Sequence, residues 1–193
     1  AGSHPLRRRV LRVTGRTESH VEEQAQPVYV RWQTAQPPIN TTILAAPGQV
    51  ELHLSTRATS DQAAEAILDR ATEELATVLG RDLYSTDGRT LEQVVGDQLR
   101  GRGYRIAIAE SCTGGLIASR LTDIPGSSEH VDLAIVAYSN RAKVELLGVS
   151  DAVIQQHGAV SEPVVLAMAT GARARGKTDI GVGVTGLAGP GGG

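Results

Sequence analysis

Apolar and polar positions alternate over residues 10–14, the period of a half-buried strand, and the run stops at Gly15. Ser19-His20-Val21-Glu22 follows with the spacing of a capping box, in which serine oxygen and glutamate carboxylate satisfy each other's free backbone donors. It predicts a short helix that stops near Pro27. Residues 33–40, with Pro37-Pro38, read as a loop, and residues 41–45 and 50–57 are two extended runs about the Pro47-Gly48 turn, a hairpin. Ser60 can cap a long helix whose apolar stripe is Ile67, Leu68, Ala71, Leu75, Val78 and Leu79, with Gly80 as its stop. Strand, helix, hairpin and helix make residues 6–80 a small α+β domain.

Residues 81–89, with the turn-prone Asp87-Gly88, read as a linker. Thr90 and Gln93 then open a capped helix bearing Leu91, Val94, Val95 and Leu99, closed by Gly101 and Gly103. From here strand and helix alternate: strand 104–109, helix 114–122, strand 131–138, helix 140–147, a helix capped by Ser161 and running to about Ala174, and strand 179–185. Strands separated by helices imply a largely parallel sheet covered on both faces. Residues 90–193 are therefore expected to form an α/β domain.

Composition narrows the class. With 193 residues, 40% hydrophobic and 21% charged, the chain suits one or two globular domains and has no apolar run long enough to span a bilayer. The net charge of −2 is spread evenly over both halves, without the basic face that phosphate neutralisation requires. The cluster Arg7, Arg8, Arg9 and Arg12 reads as a solvated strand entrance, so nucleic acid is not an expected partner. A single cysteine, Cys112, cannot form an internal disulfide and fits a reducing cytoplasm. Residues 1–5 read as an expression scar, and without an initiator Met the sequence reads as a piece of a longer product. Of 19 basic residues only Lys143 and Lys177 are lysine, a skew that coding bias toward Arg explains.

Chemistry in open α/β sheets gathers where strands end. Three such ends carry reactive or small residues. The first is Glu110-Ser111-Cys112-Thr113-Gly114-Gly115, where a hydroxyl and a thiol precede amides of Thr113, Gly114 and Gly115 that could form an anion nest. The second, Tyr138-Ser139-Asn140-Arg141-Ala142-Lys143, supplies a phenol, an amide and an amine, with Asn140 and Lys143 on one helical face. The third is the glycine-rich run from Thr185 and Gly186 through Gly189. Each alone has a plainer reading as a helix cap, a solvated charge or a loose end; their occurrence at successive strand ends raises the odds of a site. No metal-ligand spacing is present, and no metal or cofactor is expected; His157 and Cys112 alone do not make a zinc site.

Ala109-Glu110-Ser111-Cys112-Thr113-Gly114-Gly115, then Ala137-Tyr138-Ser139-Asn140 with Lys143 and Leu147-Gly148-Val149, then His157-Gly158-Ala159-Val160-Ser161-Glu162, and finally Gly183-Val184-Thr185-Gly186-Leu187-Ala188-Gly189-Pro190 resemble the C-terminal domain of the CinA family. The first domain is similar to the KH-like middle domain of longer CinA proteins, through Arg12-Val13-Thr14-Gly15, Glu18-Ser19 and Pro47-Gly48-Gln49-Val50-Glu51-Leu52. The resemblance implies a nicotinamide-nucleotide (NMN) amidase, a cytoplasmic serine amidohydrolase that acts as a homodimer. Ser111 would attack the carboxamide and Lys143 would act as its base. Tyr138 and Asn140 would orient the pair or the substrate, and Thr113, Gly114, Gly115, Thr185, Gly186 and Gly189 would contact the substrate. In the family the domain continues past the Gly-Pro-Gly-Gly loop, so the C-terminal part of the sheet is expected to be missing here. Residues 131–136 also lack the glycines common in relatives.

Lysine can serve as base only if its pKa falls toward neutrality, through burial or a cationic neighbour such as Arg141; arginine cannot lose its proton at usable pH. Other readings remain open: a non-catalytic nucleotide-binding or dimerisation domain of a competence or DNA-damage protein, a Cys112 nucleophile with His157 as base, and a KH-type nucleic-acid module. The last lacks a Gly-x-x-Gly loop.

Overall fold

A nine-residue strand, β1 (Leu6–Thr14), organises the N-terminal part of the chain. It begins four residues before the alternation becomes visible, because Arg7, Arg8 and Arg9 mask the period. Arg7 pairs with Asp61, Arg9 with Glu65 at 2.7 Å and Asp69 at 2.5 Å, and Arg12 with Glu51 at 2.7 Å. The cluster that read as a solvated strand entrance is thus largely paired within the fold.

Helix α1 (Glu18–Tyr29) starts at Thr17, whose Oγ1 accepts from the His20 amide at 3.3 Å, not at the predicted Ser19–Glu22 box. The earlier start places the Glu18 carboxylate in the first turn, against the positive end of the helix. The helix also runs through Pro27. Val21, Ala25 and Val28 are buried on one face, and that packing outweighs one missing backbone bond. A 3-10 turn at Val30–Thr34 carries the buried Trp32 to the hairpin of β2 (Ile39–Ala46) and β3 (Gln49–Arg57). Helix α2 (Asp61–Leu79) is capped by Ser60 as expected, its hydroxyl accepting from the Ala63 amide at 3.1 Å. Its stripe is Ala64, Leu68, Ala71, Thr72, Leu75 and Leu79; Val78 lies off it and is exposed.

Residues 81–89, read as a linker, contain β4 (Leu83–Ser85), which pairs with β1. Three residues are too few to show a period. The sheet is antiparallel in the order β2-β3-β1-β4, and α1 and α2 bury one face of it around Leu11, Val13, Leu52 and Leu54.

Residues 4–187 and 189 are described, and they divide into two units, Ala1–Val94 and Val95–Gly193. Helix α3 (Leu91–Arg102) opens with the expected capping box: the Gln93 side chain accepts from the Thr90 amide at 2.8 Å and Thr90 Oγ1 accepts from the Gln93 amide at 3.3 Å. The second unit continues through β5 (Ile106–Glu110), α4 (Leu116–Thr122), β6 (Val131–Val136), α5 (Asn140–Leu147), α6 (Asp151–His157), α7 (Glu162–Gly176) and β7 (Ile180–Val184). Helix α6 was not foreseen, since seven residues with three adjacent apolar positions show no helical period. Ser161 occupies the N-cap position of α7, but its hydroxyl donates to the Gly158 carbonyl at 2.9 Å and caps nothing.

The three strands are parallel in the order β6-β5-β7, so β5 is central and buried along its whole length. Alternation sends Ile106 and Ile108 toward Leu99 of α3 and Leu121 of α4, and Ala107 and Ala109 toward Val164, Met168 and Ala172 of α7. The α7 side is built from small residues. A Cβ on Gly183 would lie 2.5 Å from the Val165 carbonyl oxygen, one on Gly181 2.2 Å from that of Ala169, and one on Gly171 1.9 Å from that of Leu147. The mixed α/β reading with a parallel sheet holds for this unit. Among the described residues no helix is long and apolar enough to cross a membrane.

Two stability tests follow. Gly171→Ala forces helices α5 and α7 apart and should lower stability by about 2 kcal/mol in urea unfolding. Gly101→Ala, whose new methyl meets nothing within 4 Å, should leave stability unchanged or raise it by up to about 1 kcal/mol. His130 is 1% exposed with both ring nitrogens unpartnered, and burial together with the nearby Arg100 charge lowers its pKa, Arg105 adding to the effect and Glu129 and Asp97 opposing it. The unfolded chain therefore takes up this proton first. Stability should fall below pH ~6.5 by up to about 1.4 kcal/mol per pH unit, and His130→Leu should flatten that slope between pH 7 and pH 5.

Candidate active site

The three parallel strands end on one side, and their ends bring together residues far apart in sequence. Because β5 alternates, Glu110 turns its side chain toward α4 and Ser111 turns to the other face, where α5 begins. β6 ends at Val136, two residues earlier than predicted, and the next two carbonyls are freed from the ladder. The Ala137 amide still donates to the Glu110 carbonyl at 2.8 Å, which holds the turn against β5. Ser139 caps α5 by accepting from the Ala142 amide at 3.1 Å, and Lys143 falls one turn into that helix.

Lys143 is 2% exposed. Its Nζ lies 3.1 Å from Ser111 Oγ, 3.1 Å from the Ala137 carbonyl oxygen and 3.2 Å from that of Tyr138. No carboxylate pairs with it among the described residues. Burial lowers its pKa, with the Cys112 thiol acting weakly in the opposite direction. The cationic neighbour proposed from sequence plays no part: Arg141 points to solvent, its side chain 83% exposed, and approaches Glu145 at 3.9 Å. Desolvation is the cause of the lowering.

Ser111, Cys112, Tyr138, Asn140, Lys143, Thr185 and Gly186 line one cavity of about 190 Å³, with Ala159, Val160 and Leu187 as its apolar wall. Thr185 Oγ1 donates to the Ala159 carbonyl at 2.9 Å, tying the end of β7 to the segment before α7. Ala159 and Val160 are wall residues that sequence reasoning quoted but did not assign; neither carries a reactive group that would single it out. Tyr138 contributes its carbonyl to Lys143 while its side chain is 66% exposed. Gly186 needs to be glycine for space: a Cβ there would lie 2.9 Å from Cys112 Sγ.

Other expected residues fall outside the cavity. Thr113, Gly114 and Gly115 form the turn into α4, with Gly114 and Gly115 at φ 63° and 99°. The expected three-amide nest is not free. The Gly114 amide donates to the Ser111 carbonyl at 3.1 Å, and that of Gly115 faces the Glu110 carboxylate. The amides of Cys112 and Thr113 have no protein acceptor among the described residues. Gly189 is exposed; Ala188 and residues 190–193 of the same run lie outside the described residues. His157 is exposed at the end of α6 and makes no hydrogen bond with Cys112 among the described residues. No group of three or more His, Cys, Asp or Glu side chains there could hold a metal ion.

This is a parallel α/β unit with a buried amine on a serine hydroxyl at its strand ends. The family model described as the CinA C-terminal domain matches residues 88–193, and that of the damage-inducible protein CinA KH domain matches residues 8–85. The chain belongs to the CinA family. It is 44% identical over 185 residues to a CinA-like protein of Koribacter versatilis, covering 96% of this chain and 44% of that protein. Among solved structures it is similar to the competence/damage inducible protein CihA from Agrobacterium tumefaciens, at 46% identity and a TM-score of 0.50 over 53% of this chain and 62% of that one. It is also similar to the competence damage-inducible protein A (ComA) from Klebsiella pneumoniae, at 39% identity and a TM-score of 0.53 over 53% of this chain and 64% of that one. The chain spans less than half the length of the curated relatives it matches.

Lys143 also imposes a pH dependence on folding. Its folded pKa is depressed, so the unfolded chain holds the extra proton, and stability rises with pH until about 10.4, the unfolded value. Lys143→Met removes that contribution. The variant's stability relative to wild type should therefore decline as pH rises toward about 10.4, as read from urea midpoints.

Proposed function

We propose that the C-terminal unit is a serine amidohydrolase of the nicotinamide-nucleotide amidase type, converting NMN to nicotinate mononucleotide and ammonia. The observation that carries this reading is the 3.1 Å contact of a buried lysine amine with the Ser111 hydroxyl. A neutral amine has two N–H groups and one lone pair. The carbonyls of Ala137 and Tyr138 take the two N–H groups, which leaves the lone pair for the serine proton.

Ser111 Oγ attacks the carboxamide carbon as its proton passes to Lys143 Nζ. The negative charge on the carbonyl oxygen is met by the unpartnered amide of Cys112, which lines the cavity, a contribution of about 3 kcal/mol. Lys143 returns the proton to the departing nitrogen, ammonia leaves, and an acyl ester on Ser111 remains. A water molecule, deprotonated by Lys143, then attacks the ester carbon; the acyl–Oγ bond breaks, Lys143 returns the proton to Ser111 Oγ, and the product leaves as its carboxylate. The apolar wall of Ala159, Val160 and Leu187 suits the flat pyridine ring, and Tyr138 and Asn140 stand at the mouth of the cavity.

The reading predicts ammonia release from NMN by the full-length protein. Ser111→Ala should reduce it by roughly 10³-fold or more, and Lys143→Arg, whose guanidinium cannot take the serine proton, should do the same. The rate should rise with pH as Lys143 loses its proton, along a limb lying below the ordinary lysine value near 10.4. Equal turnover by wild type and Ser111→Ala would exclude the serine mechanism. Loss confined to Cys112→Ala would move the reaction to the thiol.

A further inference from the structure

We infer that Glu110 is the positioning residue of this site, its buried carboxylate holding the Ser111 turn so that Ser111 Oγ meets Lys143 Nζ. The role in turnover rests on the amidase reading above; the role in geometry does not.

Glu110 is the last residue of the central strand and is 1% exposed. It faces no cation among the described residues. Its Oε1 accepts from the Ala118 amide at 2.9 Å and its Oε2 from the Ile117 amide at 3.1 Å. These are amides of the first turn of α4, where a helix leaves donors without partners of its own. The residue at the N-cap position is Gly115, at φ 99°, and it has no side chain with which to cap them. Glu110 thus caps α4 from seven and eight residues upstream. The segment it closes, Ser111 to Leu116, holds the hydroxyl, the two free amides and two glycines in the left-handed region. Left to itself such a turn is among the least restricted stretches of backbone.

The backbone of Glu110 completes the arrangement. Its carbonyl accepts from the Ala137 amide at 2.8 Å, fixing the turn whose carbonyls hold Lys143, and the following amide, that of Ser111, donates to the Val184 carbonyl of β7 at 3.0 Å. One residue is therefore tied to all three strand ends. Its carboxylate is also held ionised: burial alone would raise its pKa, but the amides of Ala118 and Ile117, with that of Gly115 facing it, outweigh burial and lower it. A neutral Gln side chain of the same shape would turn an NH₂ group toward one of those amides, donor against donor.

The chain's two lysines make the idea testable without substrate. With [ε-13C]lysine, the 193-residue protein gives two signals, Lys143 and the exposed Lys177, which serves as an internal reference. If Glu110 holds the turn, Glu110→Gln lets Ser111 move off Lys143 and admits water, so the Lys143 titration should shift upward toward the ordinary lysine value near 10.4. If Glu110 acted only through its charge, deleting a buried negative charge would shift Lys143 downward. If it only capped α4, the Ile117 and Ala118 amides would exchange faster with Lys143 unmoved. An upward shift with faster exchange of both amides supports the inference. An unmoved or lowered Lys143 titration overturns it. Should Glu110→Gln fail to fold by circular dichroism, Glu110→Asp, too short to reach both amides, is read by the same criteria.

In the full-length protein the expected effect on NMN turnover is a fall in kcat of roughly 100-fold with KM within about twofold, as for a reacting group displaced by about 1 Å. An unchanged kcat would overturn the inference. Absence of turnover in wild type would count against the amidase reading only, because the lysine titration is scored independently.

Discussion

A primary amine excluded from water and given no counter-charge is the constraint around which the C-terminal unit is arranged. A buried ammonium costs several kcal/mol unless it is paired, and nothing here pairs it. The protein instead surrounds Nζ with two carbonyl oxygens and a hydroxyl, all within 3.2 Å, and no carboxylate approaches it among the described residues. The strand end at Val136, the cap at Ser139 and the first turn of α5 are all required to deliver those partners. So is the close approach of helix and sheet, which keeps water out.

That close approach explains a composition without Phe and rich in Ala and Gly. On the α7 side the sheet presents Ala107, Ala109, Gly181 and Gly183, and the helix backbone comes within a Cβ's reach of β7. Large side chains there would lift α7 from the sheet and carry the wall at Ala159 and Val160 with it. Smallness is therefore part of the site, although none of these glycines touches the cavity except Gly186.

The two faces of β5 divide the labour. One residue, Glu110, points to the α4 face and anchors the turn; the next, Ser111, points to the α5 face and meets the amine. A strand's period of two makes this separation automatic, and it lets a carboxylate stand beside Ser111 in sequence without facing Lys143 in space. A carboxylate on the other face would have raised the amine's pKa and removed its ability to take a proton.

Much of this was legible in the sequence. The long helix capped by Ser60, the box at Thr90 and Gln93, the hairpin and the alternation of strand with helix follow from periods and local hydrogen bonding, which need no distant partner. The resemblance also singled out Lys143, one of two lysines in a chain with 17 arginines. What the sequence could not show depends on contacts between remote segments. The start of α1 at Thr17, its passage through Pro27 and the three-residue β4 are decided by packing against elements dozens of residues away. The amides of Gly114 and Gly115 looked free until the fold gave them acceptors, and Arg141 looked like a partner of Lys143 until the helix turned it to solvent. Burial is what lowers the lysine's pKa, and burial is a property of the assembled unit: residue identity supplies the amine, the hydroxyl and the carboxylate, but only the tertiary structure removes the water that favours the charged amine.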